Sequence, residues 1–280
     1  MIADNQTNTI YFSEHLKTSI SFQYIEHILK ENQIKFTFLN YTKDIWARDY
    51  MPIQVSDNKF IEFRYDPDYL QGAKKGRRNL KTYPDIVCEA HNIKTIKSGI
   101  ILDGGNVVKS SDCVIMTDKI FIENKYNYTK KELIDNLQEL FETDKIIFIP
   151  WFKEIKDEFC GHSDGMVRFI DEHTVLINHV YRHEKSVLNP IKKAGLEYRF
   201  LNFEVKNEHK DNWAYLNFLQ TKEIMLVPKL ESDEDDQAMR QLSEYFPDYA
   251  SKNRIIPVLY MKSIIEEGGA LNCISWTIKV

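Results

Sequence analysis

The sequence lacks long apolar runs and paired cysteine motifs, and both shortages exclude classes of protein. No apolar stretch approaches the roughly 20 residues that a membrane-spanning helix requires, so we expect no membrane partner. The N-terminal residues contain neither the basic nor the apolar segment of a secretory signal, which favours a cytoplasmic protein. The four cysteines, Cys88, Cys113, Cys160 and Cys273, have no CxxC spacing, and in such a chain they are expected to be reduced thiols.

A linker and a strong excess of positive charge are absent as well. The 280 residues carry a net charge of −5, and their pI of about 5.9 argues against nucleic acid as a partner. No segment rich in proline, glycine and serine divides the chain, and we interpret residues 1–280 as a single domain. The oligomeric state is left open, with a homo-oligomer as one option.

What the sequence does contain is a recurring order of elements. Short runs rich in Val, Ile and Phe predict strands at 106–109, 113–117 and 145–149. Between the last two lies segment 129–141, whose apolar residues recur at helical spacing and predict a helix. This part of the chain therefore reads strand-strand-helix-strand.

The same order returns in residues 51–96, 166–203 and 213–259, and the last of these opens with a predicted strand at 213–219. A fifth unit can be assembled from both ends of the chain: strands at 272–280 and 10–12, a helix at 15–30 and a strand at 35–39. Each unit has an apolar face that only its neighbours can cover. We therefore predict an α/β fold of five strand-strand-helix-strand units in a ring joined by its terminal strands.

Polar motifs follow the last strand of four units. They are Asp44-Ile-Trp46-Ala-Arg48-Asp49, Asp103-Gly-Gly-Asn106, Cys160-Gly-His162-Ser-Asp164-Gly165 and Glu267-Gly-Gly-Ala-Leu-Asn272-Cys273. Six of the ten glycines lie in these loops, and glycine is used where backbone approaches a ligand closely. Loops in equivalent positions of a ring converge on its axis, so we expect the motifs to share one pocket.

The chemistry of these motifs suits a planar cation. They supply one thiol, one imidazole and several carboxylates. A guanidinium stays protonated at neutral pH and offers N–H donors that match carboxylates in pairs. A sulfur could then attack its central carbon, with the imidazole as acid and base. A nearby cation, either His⁺ or the substrate itself, favours the thiolate.

The motifs carry a family resemblance. The matching pieces are Trp46-Ala-Arg48-Asp49-Tyr-Met-Pro52, Leu102-Asp103-Gly-Gly105, Gly161-His162-Ser-Asp164, Trp213-Ala-Tyr-Leu-Asn217-Phe218 and Gly268-Gly-Ala-Leu-Asn-Cys273. In these pieces, which cover nearly the whole chain, the sequence resembles the agmatine deiminase and bacterial-type (Porphyromonas-type) peptidylarginine deiminase family of the guanidine-modifying pentein superfamily. The resemblance implies a five-bladed α/β propeller, in agreement with the repeat.

The resemblance also implies catalytic roles. Cys273 matches the family's nucleophile and His162 its general acid and base. Asp103 stands where the family usually has Glu, which orients the histidine and holds the substrate. The implied reaction is attack on the guanidinium carbon, loss of ammonia and hydrolysis of a covalent S-alkylthiouronium, taking agmatine to N-carbamoylputrescine. No metal and no organic cofactor are implied.

Four further residues are candidate substrate contacts. Asp49 and Asp164 correspond to the carboxylates that grip the guanidinium, and we add Trp46 and Gly269 as candidate substrate contacts. The residues themselves leave alternatives open, since Trp46 could belong to the core and a lone cysteine is commonly a buried apolar residue.

Competing functions remain at this point. A peptidyl-arginine deiminase would need an open groove, an amidinotransferase would use an amine instead of water, and a pentein could serve as a non-catalytic binding module. Cys160, His162 and Asp164 alternate along the chain and could face one metal, although zinc sites usually draw ligands from a second segment. We favour the small guanidinium substrate.

Overall fold

The computed structural model describes residues 1–71, 77–152 and 161–280. Within this part of the chain the strands are β1 (Thr9–Ser13), β2 (Phe36–Leu39), β3 (Ile53–Ser56), β4 (Lys59–Arg64), β5 (Ile96–Ile101), β6 (Val108–Lys109), β7 (Cys113–Thr117), β8 (Lys145–Ile149), β9 (Val167–Phe169), β10 (Thr174–Asn178), β11 (Glu197–Leu201), β12 (Leu219–Gln220), β13 (Met225–Pro228), β14 (Ile255–Val258) and β15 (Ser275–Ile278). The α-helices are α1 (Ile20–Glu31), α2 (Ala47–Tyr50), α3 (Asp68–Gln71), α4 (Pro84–Ala90), α5 (Lys119–Asn124), α6 (Lys130–Phe141), α7 (Lys185–Lys193), α8 (Asp235–Tyr245), α9 (Pro247–Ala250) and α10 (Lys262–Glu266).

The described strands form five sheets of three strands with one shared topology. In each sheet the first strand runs antiparallel to the middle strand, and the third runs parallel to it. We call them sheet I (β15-β1-β2), sheet II (β3-β4-β5), sheet III (β6-β7-β8), sheet IV (β9-β10-β11) and sheet V (β12-β13-β14). The predicted five-unit α/β fold is therefore confirmed.

Sheet I closes the fold, because it joins the two ends of the chain. Strand β15 pairs with β1 in a register that sets Ile10 opposite Thr277. Beside it, Asn8 Nδ2 donates a 3.0 Å hydrogen bond to the Val280 carbonyl, and the Val280 N–H donates a 2.9 Å hydrogen bond to Asn8 Oδ1. The two ends of the chain therefore form one unit, as predicted.

The apolar core lies between neighbouring sheets. One cluster of buried side chains packs sheet I against sheet II, and others join II to III, III to IV, IV to V and V back to I. Since these contacts run through all five sheets and return to the first, the sheets form a closed ring. Each sheet buries apolar surface on both sides, which is the main favourable term in folding.

Local signals set the element boundaries. Thr129 and Glu132 form a capping box at the start of α6, and Ser19 caps α1. The predicted helix at 15–30 consequently begins later, at Ile20, after a short 3-10 turn. The predicted helix at 129–141 and strands at 113–117 and 145–149 are confirmed.

The predicted strand at 213–219 is wrong. Residues Asn212–Leu216 form a 3-10 helix, and only Leu219–Gln220 is a strand. The Asn217 N–H donates to the Ala214 carbonyl, a local turn bond that replaces pairing with another strand. Apolar side chains in this segment are buried on several sides at once, so their run resembled a strand in the sequence.

No helix in the described part of the chain has the length and apolar character needed to cross a bilayer.

Candidate active site

The site lies where five equivalent loops meet. Each loop leads from the third strand of one sheet to the first strand of the next, and four of them carry the predicted motifs. A cavity of 310 Å³ opens among them. Its described lining is Phe152, Gly161, His162, Asp164, Gly165, Met166, Asn178, Val180, Tyr181, Glu184, Lys210, Asn212, Trp213, Asn217, Gly268 and Cys273.

Cys273 lies at this cavity, and its side chain faces a carboxylate. The Cys273 Sγ lies 3.5 Å from Asp164 Oδ2. The same oxygen accepts a 2.7 Å hydrogen bond from Asn272 Nδ2, which fixes the carboxylate beside the sulfur. Cys273 is 5% exposed and Asp164 is 3% exposed, so a bound ligand would be held away from bulk water.

Asn217 positions the loop that carries Cys273. Its Oδ1 accepts the backbone N–H groups of Ala270 and Cys273, each at 3.2 Å, and its carbonyl accepts the Asn272 N–H at 2.9 Å. Two backbone donors on one oxygen also fix which way the amide points. Asn217 comes from the loop between sheets IV and V, so it ties that loop to the one between sheets V and I.

The environment of Cys273 disfavours its thiolate when no cation is bound. Burial raises the pKa of the Cys273 thiol well above its ordinary value, and the nearby Asp164 and Asp49 carboxylates raise it further. An apolar, negatively charged setting stabilises the neutral thiol. A cationic ligand between the carboxylates would reverse that electrostatic preference.

His162 lies between two carboxylates. Its Nε2 is 3.1 Å from Asp103 Oδ2, and its Nδ1 is 3.6 Å from Asp49 Oδ1. Burial alone would lower the pKa of His162, but the charges of Asp49 and Asp103 prevail and raise it to about 9. His162 is therefore an imidazolium at neutral pH and can donate a proton.

Gly105 allows this approach. A Cβ on Gly105 would lie 2.6 Å from Asp49 Oδ1 and 2.6 Å from His162 Nδ1. Its N–H instead donates a 3.0 Å hydrogen bond to Asp49 Oδ1. The absence of a side chain is thus what lets the two functional groups meet.

The pKa values of Asp49 and Asp103 are shifted in opposite directions. Burial raises the pKa of Asp49 to about 7 against the opposing charge of His162. Burial also acts to raise the pKa of Asp103, but Lys119 and His162 outweigh it and hold that pKa below its usual value. Tyr69 donates its hydroxyl to Asp49 Oδ2 at 3.4 Å.

The other four predicted site residues lie close to the cavity without lining it. Asp49 and Asp103 contact His162 and are not among the described residues that line the cavity. Trp46 is half-buried and packs on Gly269, where a Cβ would lie 2.2 Å from the indole. Neither Trp46 nor Gly269 lines the cavity, and their substrate contacts stay predictions.

The metal interpretation of Cys160, His162 and Asp164 stays untested, because Cys160 lies outside the described residues. Among the residues that the structure describes, no group of three or more His, Cys, Asp or Glu side chains could hold an ion.

Sequence reasoning missed Lys119, Tyr69 and the roles of Asn217 and Trp213. Asn217 and Trp213 lie in the loop between sheets IV and V, so the repeat phase that identified the motifs of the other four loops could have assigned them to the site. Lys119 begins α5, a short helix with no periodic signal of its own, and nothing in its sequence context indicates that it is buried.

Comparisons with known proteins agree with the fold. The family model for Porphyromonas-type peptidyl-arginine deiminase matches residues 1–278. A protein of Mycoplasma mycoides subsp. mycoides SC named "Putative agmatine deiminase" is 23% identical, and the match covers 97% of this chain and 85% of that protein.

Two solved structures are similar along the whole length. A cysteine-to-serine variant of C. jejuni agmatine deiminase with substrate bound has a TM-score of 0.73 at 18% identity, covering 97% of this chain and 93% of that one. The agmatine deiminase of Enterococcus faecalis has a TM-score of 0.70 at 14% identity, covering 99% and 94%. At these identities the two structures establish a common fold.

Proposed function

The chain belongs to the Porphyromonas-type peptidyl-arginine deiminase family, and we propose that it hydrolyses a small guanidinium compound, agmatine, to N-carbamoylputrescine and ammonia. One observation carries the proposal: Cys273 Sγ lies 3.5 Å from Asp164 Oδ2 in a cavity that His162 also lines. A nucleophile, a guanidinium acceptor and a proton donor thus share one small space.

The guanidinium completes the charge balance of this space. Asp164 accepts its N–H groups beside the sulfur, and Asp49 becomes a second acceptor once the Tyr69 hydroxyl gives up its 3.4 Å contact. The cation offsets the carboxylates that keep the Cys273 thiol protonated. Substrate binding and thiolate formation are therefore coupled, since each favours the other electrostatically, and the thiol proton passes to solvent as the cation binds.

The reaction then proceeds in two halves. The Cys273 thiolate forms a bond to the central guanidinium carbon, His162 protonates one terminal nitrogen, and the C–N bond breaks to release ammonia. His162, now neutral, takes a proton from water as the water oxygen attacks the same carbon of the thiouronium. The C–S bond breaks and the sulfur leaves as thiolate, the hydroxyl proton of the tetrahedral intermediate passes to solvent, and the ureido product departs.

The dimensions and lining of the cavity support a small substrate. Its 310 Å³ is near the lower end of the range for ligand pockets. Phe152, Tyr181 and Trp213 supply aromatic surface for an aliphatic chain. Glu184 and Lys210 are exposed at the same cavity, and they offer opposite charges to the far end of the substrate.

These two charges provide the test of substrate class. Agmatine presents an ammonium at its far end, which suits Glu184, whereas free arginine also presents a carboxylate, which suits Lys210. Ammonia and ureido product are measured with agmatine, arginine and an arginyl peptide, using the unmodified protein, Glu184→Gln and Lys210→Met. We expect turnover of agmatine, a raised KM for agmatine in Glu184→Gln and little change in Lys210→Met.

Cys273→Ser is the control for the chemistry and should release no ammonia from any of the three. Turnover of arginine or the arginyl peptide in place of agmatine would reassign the substrate. Full activity of Cys273→Ser would refute the proposed nucleophile.

A further inference from the structure

A lysine with no role in the proposed reaction is buried beside the catalytic histidine. Lys119 is 1% exposed, although lysine is among the residues least often buried unless paired. Its Nζ lies 3.2 Å from Asp68 Oδ1, 3.3 Å from Glu123 Oε1 and 3.4 Å from Asp103 Oδ2. The rings of Tyr69 and Trp151 lie within 6 Å of the same ammonium, at 5.9 and 5.6 Å.

Lys119 and His162 share one acceptor atom. Asp103 Oδ2 lies 3.1 Å from His162 Nε2 and 3.4 Å from Lys119 Nζ. Asp103 is itself 1% exposed, so solvent cannot screen either interaction effectively. A change in the charge of Lys119 must therefore alter the electrostatic environment of His162 through the shared oxygen, Asp103 Oδ2.

The charges around His162 are unbalanced without this lysine. Asp49 lies on its Nδ1 side and Asp103 on its Nε2 side, and both favour the protonated ring. Lys119 opposes them and lowers the pKa of His162, which even so stands at about 9. A group that must donate and then accept a proton works best with a pKa near the working pH.

We propose that Lys119 is a positioning residue of this site, whose ammonium holds Asp103 Oδ2 towards His162 Nε2 and sets a second positive charge on the same carboxylate oxygen. The inference rests on the proposed deimination for its effect on rate. Its effect on the His162 proton can be measured without any turnover.

A purely structural role would have different consequences. If Lys119 only neutralises the surplus of Asp68, Asp103 and Glu123, its loss would destabilise the fold and leave the titration of His162 where it was. The positioning role instead requires that the titration itself moves. The test therefore follows the ionisation of His162 as well as the rate.

The experiment compares Lys119→Met, which removes the charge, with Lys119→Arg, which keeps it. His162 is titrated by NMR in histidine-labelled protein, with His162→Gln used to assign its signal. We expect the His162 midpoint to rise by at least about half a pH unit in Lys119→Met and to stay within about 0.3 unit in Lys119→Arg. With agmatine, kcat at pH 7.5 should fall at least about tenfold in Lys119→Met and less in Lys119→Arg.

Lys131→Met is the matched control, because Lys131 is 86% exposed on α6 and pairs only with Asp135 among the described residues. It should change neither the titration nor the rate.

An unchanged His162 midpoint in Lys119→Met overturns the proposal, whatever happens to the rate. Should that variant fail to fold, a displaced His162 midpoint in the charge-retaining Lys119→Arg overturns it, and an unchanged midpoint there supports it. If the unmodified protein turns over no guanidine, the deiminase proposal fails, while the NMR result still decides the role of Lys119.

Discussion

Gly105 illustrates how a single residue sets the geometry of the site. The space that its side chain would fill is occupied by Asp49 Oδ1 and His162 Nδ1. Gly105→Ala should force the two apart, and a displacement of about 1 Å can cost about 100-fold in rate. We expect kcat/KM for agmatine to fall by about that factor, measured as ammonia release.

Gly99→Ala is the control for this substitution, because the nearest atom to a Cβ there is the Tyr128 hydroxyl oxygen at 3.4 Å. It should retain nearly full activity. An active Gly105→Ala protein would mean that Asp49 and His162 need not lie so close together.

The pH dependence of the reaction also belongs to individual residues. Asp49 has a pKa raised to about 7 by burial, and it must be ionised to hold a guanidinium, so binding should weaken below that pH. His162 has a pKa raised to about 9 by its carboxylate neighbours, and it must be protonated to release ammonia, so activity should fall above that pH. We predict a bell-shaped profile of kcat/KM with limbs near pH 7 and 9, measured with agmatine.

If the limb near pH 7 belongs to Asp49, Asp49→Asn should remove that limb from the kcat/KM profile and also weaken the binding of agmatine. A profile that stays flat from pH 6 to pH 10 would contradict both assignments.

Among the elements, the loop that carries Cys273 depends on a side chain from another loop. Asn217 Oδ1 accepts the backbone N–H groups of Ala270 and Cys273, and both bonds are buried. Asn217→Ala should leave these donors unpaired, which costs about 1 to 3 kcal/mol for each buried group. We expect faster amide hydrogen exchange in the peptide spanning 262–274 and a lower kcat.

Asn136→Ala is a suitable control, since Asn136 is exposed on α6 and bonds only the Glu132 carbonyl among the described residues. It should not alter exchange in the 262–274 peptide. Equal exchange in Asn217→Ala and the unmodified protein would show that the loop holds its shape unaided.

The elements also explain what could be predicted from the sequence. Strand β8 and helix α6 have clear periodicity and a capping box, and their positions were predictable from those signals. The 3-10 helix Asn212–Leu216 was not predictable, because its run of apolar residues is one that a buried strand would also have. The burial of Lys119 could not be predicted for a different reason. It depends on Asp68 and Asp103, which the fold brings to Lys119 from other parts of the chain.

For the whole molecule, closure of the ring depends on the last strand. Trp276 in β15 is 3% exposed, and its Nε1 donates a 2.8 Å hydrogen bond to the Pro52 carbonyl at the edge of sheet II. The indole therefore fastens the terminal strand to the neighbouring sheet. Trp276→Ala should lower the free energy of unfolding by about 3 to 5 kcal/mol, measured by urea denaturation.

Trp276→Phe retains most of the apolar contact and loses the hydrogen bond, so its loss should be smaller, about 1 to 2 kcal/mol. A loss below about 1 kcal/mol in Trp276→Ala would mean that β15 contributes little to the stability of the ring.

The ring also explains why the sequence could predict which residues belong to the site but only some of the contacts between them. Repeat phase and motif order predicted that the loops carrying Cys273, His162 and Asp164 meet, and they line one cavity. Which carboxylate lies on the sulfur and which on the imidazole follows from contacts between sheets. Asp164 contacts Cys273, whereas Asp49 and Asp103 contact His162.

The covalent step is the centre of this account, and rapid acid quenching with mass spectrometry tests it most directly. Protein mixed with agmatine and quenched within the first turnovers should carry, on the peptide that contains Cys273, an added mass equal to agmatine less ammonia. Cys273→Ser should carry none. Steady release of ammonia with no adduct on that peptide at any quench time, together with an active Cys273→Ser, would contradict the account.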